Sequence, residues 1–109
     1  MTGSIDAEFK QRFAKGFLDI MILQFIQKDP MWGYKLIKKI EEYSTVKIGH
    51  GVLYPLLNSL ETNGLIASKE EAHGKRTRKV YKITLKGTQL MDSYYEFLAE
   101  QTQASSPKD

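Results

Sequence analysis

The hydrophobic period of this chain changes after Asn63-Gly64 and changes back after Leu85, and that switch constrains its layout more than any other feature. Up to Asn63-Gly64 the apolar residues recur at intervals of three and four; from Leu65 to Leu85 they fall into two short runs with strand character. Punctuation at Asp29-Pro30, Ile48-Gly49 and Asn63-Gly64 cuts the helical part into three blocks, and Gly87 stands near the start of a fourth. The order is helix, helix, helix, two strands, helix. At 109 residues there is room for one small domain, and a chain this short gains core by pairing with a second copy.

The first block, about Asp6 to Lys28, carries Phe9, Phe13, Phe17, Ile20 and Leu23 on one stripe and Leu18, Met21, Ile22 and Phe25 on another. Such a helix is apolar nearly all round in its second half and needs cover on every side, part of it from another subunit. Pro30 ends it. The second block, Trp32 to Ser44, places Gly33, Leu36, Ile37, Ile40 and Tyr43 or Ser44 inward, with Lys35, Lys38, Lys39, Glu41 and Glu42 outward. The third, about His50 to Asn63, turns Leu53, Leu56, Leu57 and Leu60 inward and stops at Asn63-Gly64, a left-handed terminus. Pro55 is expected in its first turn or so, where backbone N–H groups have no intrahelical acceptor.

The two strand-like runs, Leu65 to Glu71 and Arg78 to Leu85, are joined by the polar turn AHGKRT, with Gly74 suited to a hairpin. The last block runs as a helix from Leu85-Lys86-Gly87 to about Glu100, with Leu90, Tyr94, Phe97 and Leu98 on one side. Gln101 to Asp109 is polar and is expected to fray. The fold class is therefore mainly α with a small β-hairpin (α+β). As domains, residues 6–87 are expected to form the main folded unit, 88–100 a terminal helix and 101–109 a flexible tail.

Charge is distributed unevenly. Between Ala72 and Met91 stand six bases (Lys75, Arg76, Arg78, Lys79, Lys82, Lys86) and no acid, which leaves ten bases against thirteen acids elsewhere. The basic character of the molecule thus sits on the ribbon, a candidate polyanion contact. Composition excludes other classes. With no cysteine and only His50 and His73, thiolate metal sites and a disulfide framework are ruled out, and no metal or organic cofactor is expected. No nucleophile elbow, phosphate-cradling loop or tight carboxylate pair is present beyond the Glu41-Glu42 and Glu70-Glu71 doublets, so the chain reads as a non-enzyme. No segment has the length of a membrane span and the start lacks a secretory pattern, so a cytoplasmic protein is expected.

Helix, helix, turn, helix and a basic ribbon make the winged form of the helix-turn-helix, in which the last helix of the motif enters the major groove and the ribbon reaches the backbone or minor groove. Opposite its leucines the third helix presents Gly51, Pro55, Asn58 and Thr62, flanked by Tyr54 and Ser59, with no acid at the centre. Small residues admit close approach to DNA, and Asn58 can pair in bidentate fashion with adenine. His50, at the start of that helix, is placed to approach DNA and make binding mildly pH-sensitive. Lys75, Arg76 and Arg78 at the ribbon tip neutralise phosphates or enter the minor groove. A protein-binding winged-helix module uses the same scaffold and is the competing reading.

The strings MWGYKLIKKIEEY, GVLYPLLNSLETNGLI and RKVYKITLKG resemble the PadR family of transcriptional regulators, in the same order and at the same distances. The resemblance implies a dimeric winged-helix regulator, usually a repressor, bound to double-stranded DNA at an inverted repeat and released by a small hydrophobic effector. It implies that Tyr34 and Tyr54 face DNA; Lys35, on the outward face of the second helix, and His50, Gly51, Pro55 and Asn58, on the outward side of the third, complete the expected DNA contact. Lys75, Arg76 and Arg78 form the wing contact. Phe17, Met21, Leu90, Tyr94, Phe97 and Leu98 form the homodimer contact, in a fold with N-terminal and C-terminal dimerisation helices. The chain departs from the family where Gly49-His50-Gly51-Val52 replaces the usual Ser-Pro-Gly-Thr, and where Thr77 stands in place of a common proline. The last helix lacks the tryptophan that sandwiches flat ligands in short members; Tyr94, Tyr95 and Phe97 are its candidate substitutes, or plain packing.

Overall fold

A computed structural model describes Glu8 and residues 16–104. The order along it is α1 (Leu18–Lys28), β1 (Met31–Trp32), α2 (Gly33–Ser44), α3 (His50–Thr62), β2 (Ile66–His73), β3 (Arg76–Ile83) and α4 (Leu85–Ala104). Phe9 and Phe13, and the expected helix start at Asp6, lie outside the described residues. The helix expected to run unbroken to Lys28 restarts at Leu18, because Phe17 has non-helical backbone (φ −129°, ψ 39°). Gly16, a poor helix former, precedes the break, and Asp19 supplies the acid that suits a first turn.

Met21, Ile22, Leu23 and Ile26 of α1 are buried, and α1 packs on α2, β3 and α4 at once, which is why it is apolar nearly all round. α2 buries Gly33, Leu36, Ile37, Ile40 and Ser44 at the expected spacing. Of the two candidates for its last inward position, Ser44 is inside and Tyr43 is out. Burial of that hydroxyl is satisfied locally: Ser44 Oγ donates to the Ile40 carbonyl (2.8 Å) and accepts from Val46 N–H (3.2 Å).

α3 buries Leu53, Leu57 and Leu60 and ends in a Schellman motif. Leu65 N–H bonds Leu60 O and Gly64 N–H bonds Glu61 O (both 2.9 Å), with Gly64 at φ +78°. Pro55 is not in the first turn. It is inside the helix, five residues after His50, and having no N–H it leaves the Gly51 carbonyl without its intrahelical donor. Both residues are exposed, so water reaches that carbonyl.

The ribbon expected to be two-stranded belongs to a three-stranded antiparallel sheet, order β1-β3-β2. β1 is only two residues long, Met31 opposite Tyr81 and Trp32 opposite Val80, too short to leave a periodic signal. The turn is tighter than the six residues read from sequence: His73 pairs with Arg76 around Gly74-Lys75, and Gly74 takes φ +64°. Positive φ at the first loop residue alone is the II′ pattern, whose twist suits a hairpin.

β3 leads directly into α4. Thr84 Oγ accepts from Gly87 N–H (3.1 Å), capping α4, and donates to Gly64 O (2.6 Å) at the end of α3. Lys86 Nζ adds a bond to Asn63 O (2.8 Å). A Cβ at Gly87 would overlap the Leu65 carbonyl oxygen and stand 2.7 Å from Ile83 Cγ1, so only glycine fits this crossing. The helix expected to fade at Glu100 continues to Ala104, since nothing from Gln101 to Ala104 breaks it and Thr102 Oγ bonds back to Leu98 O (2.9 Å). The rest of the expected tail, residues 105–109, lies outside the described residues. No helix among the described residues is long and apolar enough to cross a membrane.

Candidate nucleic-acid interface

β1 settles which way the ribbon's bases point. Trp32 lies opposite Val80, and with two-residue alternation Val80, Arg78 and Arg76 share its face of the sheet, along with His73, Glu71 and Lys69 of β2. The other face turns Met31, Tyr81, Ile66 and Ile83 into the core. Burial holds the Tyr81 phenol above its ordinary pKa of 10.0, with Glu61 and then Tyr54 adding to the shift.

Trp32 is the anchor of the outer face. The Arg78 guanidinium lies 4.8 Å from its ring centre, and the His73 ring is 5.5 Å away at 47°. Its Nε1 is buried without a hydrogen-bond partner, so the indole is held by packing and by the cation rather than by its own donor. The pairing of Trp32 with Arg78 depends on β1, a two-residue strand absent from the sequence reading.

A cleft of about 590 Å³ opens between the ribbon and the starts of α2 and α3. Its helix side is Gly33, Tyr34, His50 and Tyr54; its ribbon side is Arg76, Thr77, Arg78 and Lys79. His50 and Tyr54, one helical turn apart, stack at 5.4 Å with 9° between planes. The Tyr54 hydroxyl rests against Gly33, where a Cβ would stand 2.8 Å from Tyr54 Cζ, so glycine at the start of α2 is what lets the two helices close here. Tyr34 is 53% exposed, with Lys38 Nζ 5.5 Å over its ring.

Among the described residues, no carboxylate lines this cleft. Neither α2 nor α3 has an acid in its first turn or a side-chain cap, so the positive ends of both helices are left for an outside acceptor. Two such ends beside Arg76, Arg78 and Lys79 form a place suited to a phosphate diester. The ribbon is less one-sided than its sequence: register sets Glu71 opposite Arg78 and Glu70 opposite Lys79. Among the bases of the turn and β3, those with no acid across from them are therefore Lys75 at the turn, Arg76, whose partner is His73, and Lys82, whose partner is Ala67.

Gly51, Pro55, Asn58, Ser59 and Thr62 form the exposed side of α3, as the wheel requires. Lys35 is not brought to the cleft; it is half-buried and pairs with Asp29 (3.4 Å) near the end of α1. Lys79, one of the six bases of the basic stretch, lines the cleft instead, and Lys38 lies over the Tyr34 ring. Val52 was also missed: it is 58% exposed on α3, and the alternation of leucines around it drew attention inward.

Of the residues expected between subunits, Phe17 (47%), Leu90 (41%), Phe97 (55%) and Leu98 (40%) are exposed. Tyr94 is half-buried against the core, its pKa raised first by burial, then by Tyr95 and Asp19. Met21 is 1% exposed, enclosed by the chain's own core, and so has no surface to offer a partner.

The chain matches the transcriptional regulator PadR-like family over residues 22–93. It is 36% identical over 90 residues to the transcriptional regulator YqjI of Escherichia coli, an alignment covering 80% of this chain and 42% of that protein. The chain thus spans about two fifths of the length of the curated relatives it matches. Solved structures resemble it along most of its length. A PadR-like transcription factor from Bacteroides fragilis superposes with TM-score 0.70 at 26% identity, covering 91% of this chain and 99% of that one. A PadR-like transcriptional regulator from Bacillus cereus gives TM-score 0.74 at 26% identity, with 85% and 91% covered.

Proposed function

The chain belongs to the PadR-like family of transcriptional regulators, and from that membership we propose that it is a homodimeric repressor that binds an inverted-repeat operator in double-stranded DNA. In this reading α3 lies in the major groove, with Asn58 toward base edges and Tyr34, His50 and Tyr54 toward the adjoining backbone. Lys75, Arg76 and Arg78 follow the neighbouring phosphates. The observation that carries it is the acid-free cleft, where two uncapped helix starts meet Arg76, Arg78 and Lys79. Nothing in a protein-binding surface calls for that concentration of phosphate-seeking groups.

The DNA-binding unit ends where β3 passes into Thr84, and α4 is the dimerisation arm. Its support is the exposed apolar residues Leu90, Tyr95, Phe97 and Leu98 of α4, together with exposed Phe17 just before α1. A flat hydrophobic effector lodged against Tyr94, Tyr95 and Phe97 between subunits would alter the spacing of the two α3 helices and release DNA. Footprinting on the DNA flanking the protein's own gene tests the arrangement. Two protected half-sites about 10 base pairs apart, centre to centre, are expected for a two-fold dimer. A single unpaired footprint would contradict it.

A further inference from the structure

The first three residues of α3 are His50, Gly51 and Val52, and all three are exposed. His50 is occupied by its stack on Tyr54, at the edge that lines the cleft. Gly51 has no side chain, and no heavy atom stands within 4 Å of where its Cβ would be. Val52 is thus the side chain that leads the helix, with 58% of its surface in water.

Neither folding nor helix formation accounts for a valine at this position. It lies outside the core, and a β-branched side chain is a weaker helix former than the alanine, lysine or glutamate that an exposed site accepts. Single exposed aliphatics are ordinary on protein surfaces. This one differs by its place, in the first turn of the helix whose N-terminal residues meet base edges, next to a glycine that lets the backbone come close.

Valine offers methyl groups and no donor or acceptor. Among the base edges of the major groove the one apolar feature is the C5 methyl of thymine; every other distinguishing atom is a donor or an acceptor. We propose that Val52 is a specificity-determining residue that reads a thymine methyl in the half-site bound by α3. The proposal rests on α3 being the recognition helix, and its test separates the two.

A duplex is first recovered by the wild-type protein from a pool with a random core. Each thymine is then replaced singly by deoxyuridine, which removes the methyl and nothing else, and affinities are read by fluorescence anisotropy. One thymine per half-site is expected to lose about fourfold in affinity on replacement, the amount a buried methyl group contributes. The Val52→Ala protein, verified by a melting temperature like that of the wild type, is expected to bind the thymine and uracil duplexes equally. Indifference of the wild-type protein to every replacement overturns the proposal, as does a Val52→Ala protein that keeps the discrimination. Failure to enrich any duplex overturns the recognition-helix reading itself, a result distinct from an enriched duplex read without its methyl.

Discussion

The Arg78 guanidinium lies 4.8 Å from the centre of the Trp32 ring, tying the ribbon to the start of α2. The residue counted from sequence as a free wing cation therefore also fixes the wing's direction. Arg78→Lys keeps the charge but loses the flat stacking surface. It should weaken DNA binding several-fold, with raised proteolytic sensitivity at the hairpin. Trp32→Phe keeps a ring for Arg78 and removes the buried, unpartnered Nε1, so urea unfolding should move by no more than about 1 kcal/mol, whereas Trp32→Ala should cost about 3 kcal/mol.

Arg76 and Asn58 should fail in different ways. Arg76 stands exposed at the end of the ribbon with no acid across from it; if it meets a phosphate as proposed, Arg76→Ala should weaken binding to all sequences and reduce the slope of log affinity against log salt by about 0.9. Asn58→Ala should leave that slope alone and change base preference, seen by repeating the selection from a random pool. An Arg76→Ala protein with an unchanged slope would move the phosphate contact elsewhere.

Much of this was legible before the fold was known. Helix faces came from leucine spacing, the α3 terminus from Asn63-Gly64, and the basic ribbon from charge alone. What escaped notice was non-local or too short to repeat. β1 is two residues, and its partners Val80 and Tyr81 lie about fifty positions away. The opposition of Glu70 and Glu71 to Lys79 and Arg78 depends on a register fixed by a two-residue turn, where sequence suggested six. Lys35 looked outward on the wheel, yet the chain reversal at Pro30 brings Asp29 to it.

Thr84 joins the end of α3 to the start of α4 through one hydroxyl, accepting from Gly87 N–H and donating to Gly64 O. Thr84→Val preserves shape and removes both bonds, which should cost about 2 kcal/mol in urea unfolding. Thr84→Ser should recover most of that loss.

Phe97 is 55% exposed on α4, so an acid there should cost the fold of a single chain little, while in the proposed dimer it would sit within an apolar contact. Phe97→Asp should convert a dimer to monomers in light scattering and lower operator affinity by more than tenfold. A dimeric Phe97→Asp protein would place the contact on another surface.

Tyr81 gives the stability curve an alkaline limb. Its phenol is held above pKa 10.0 in the folded chain, while the unfolded chain ionises at the ordinary value. Its contribution to stability is therefore fully present below about pH 10 and is lost as pH rises through the folded pKa. Tyr81→Phe should show a shallower decline than the wild type above about pH 10, whatever its stability at neutral pH.

The central claim is sequence-specific binding of DNA, and one titration tests it most directly. Fluorescence anisotropy compares the intergenic duplex upstream of the protein's own gene with a scrambled duplex of equal length, at two salt concentrations. Binding that is salt-sensitive and at least a hundredfold tighter to the native duplex is the predicted result. No binding to either duplex at low salt would contradict the account.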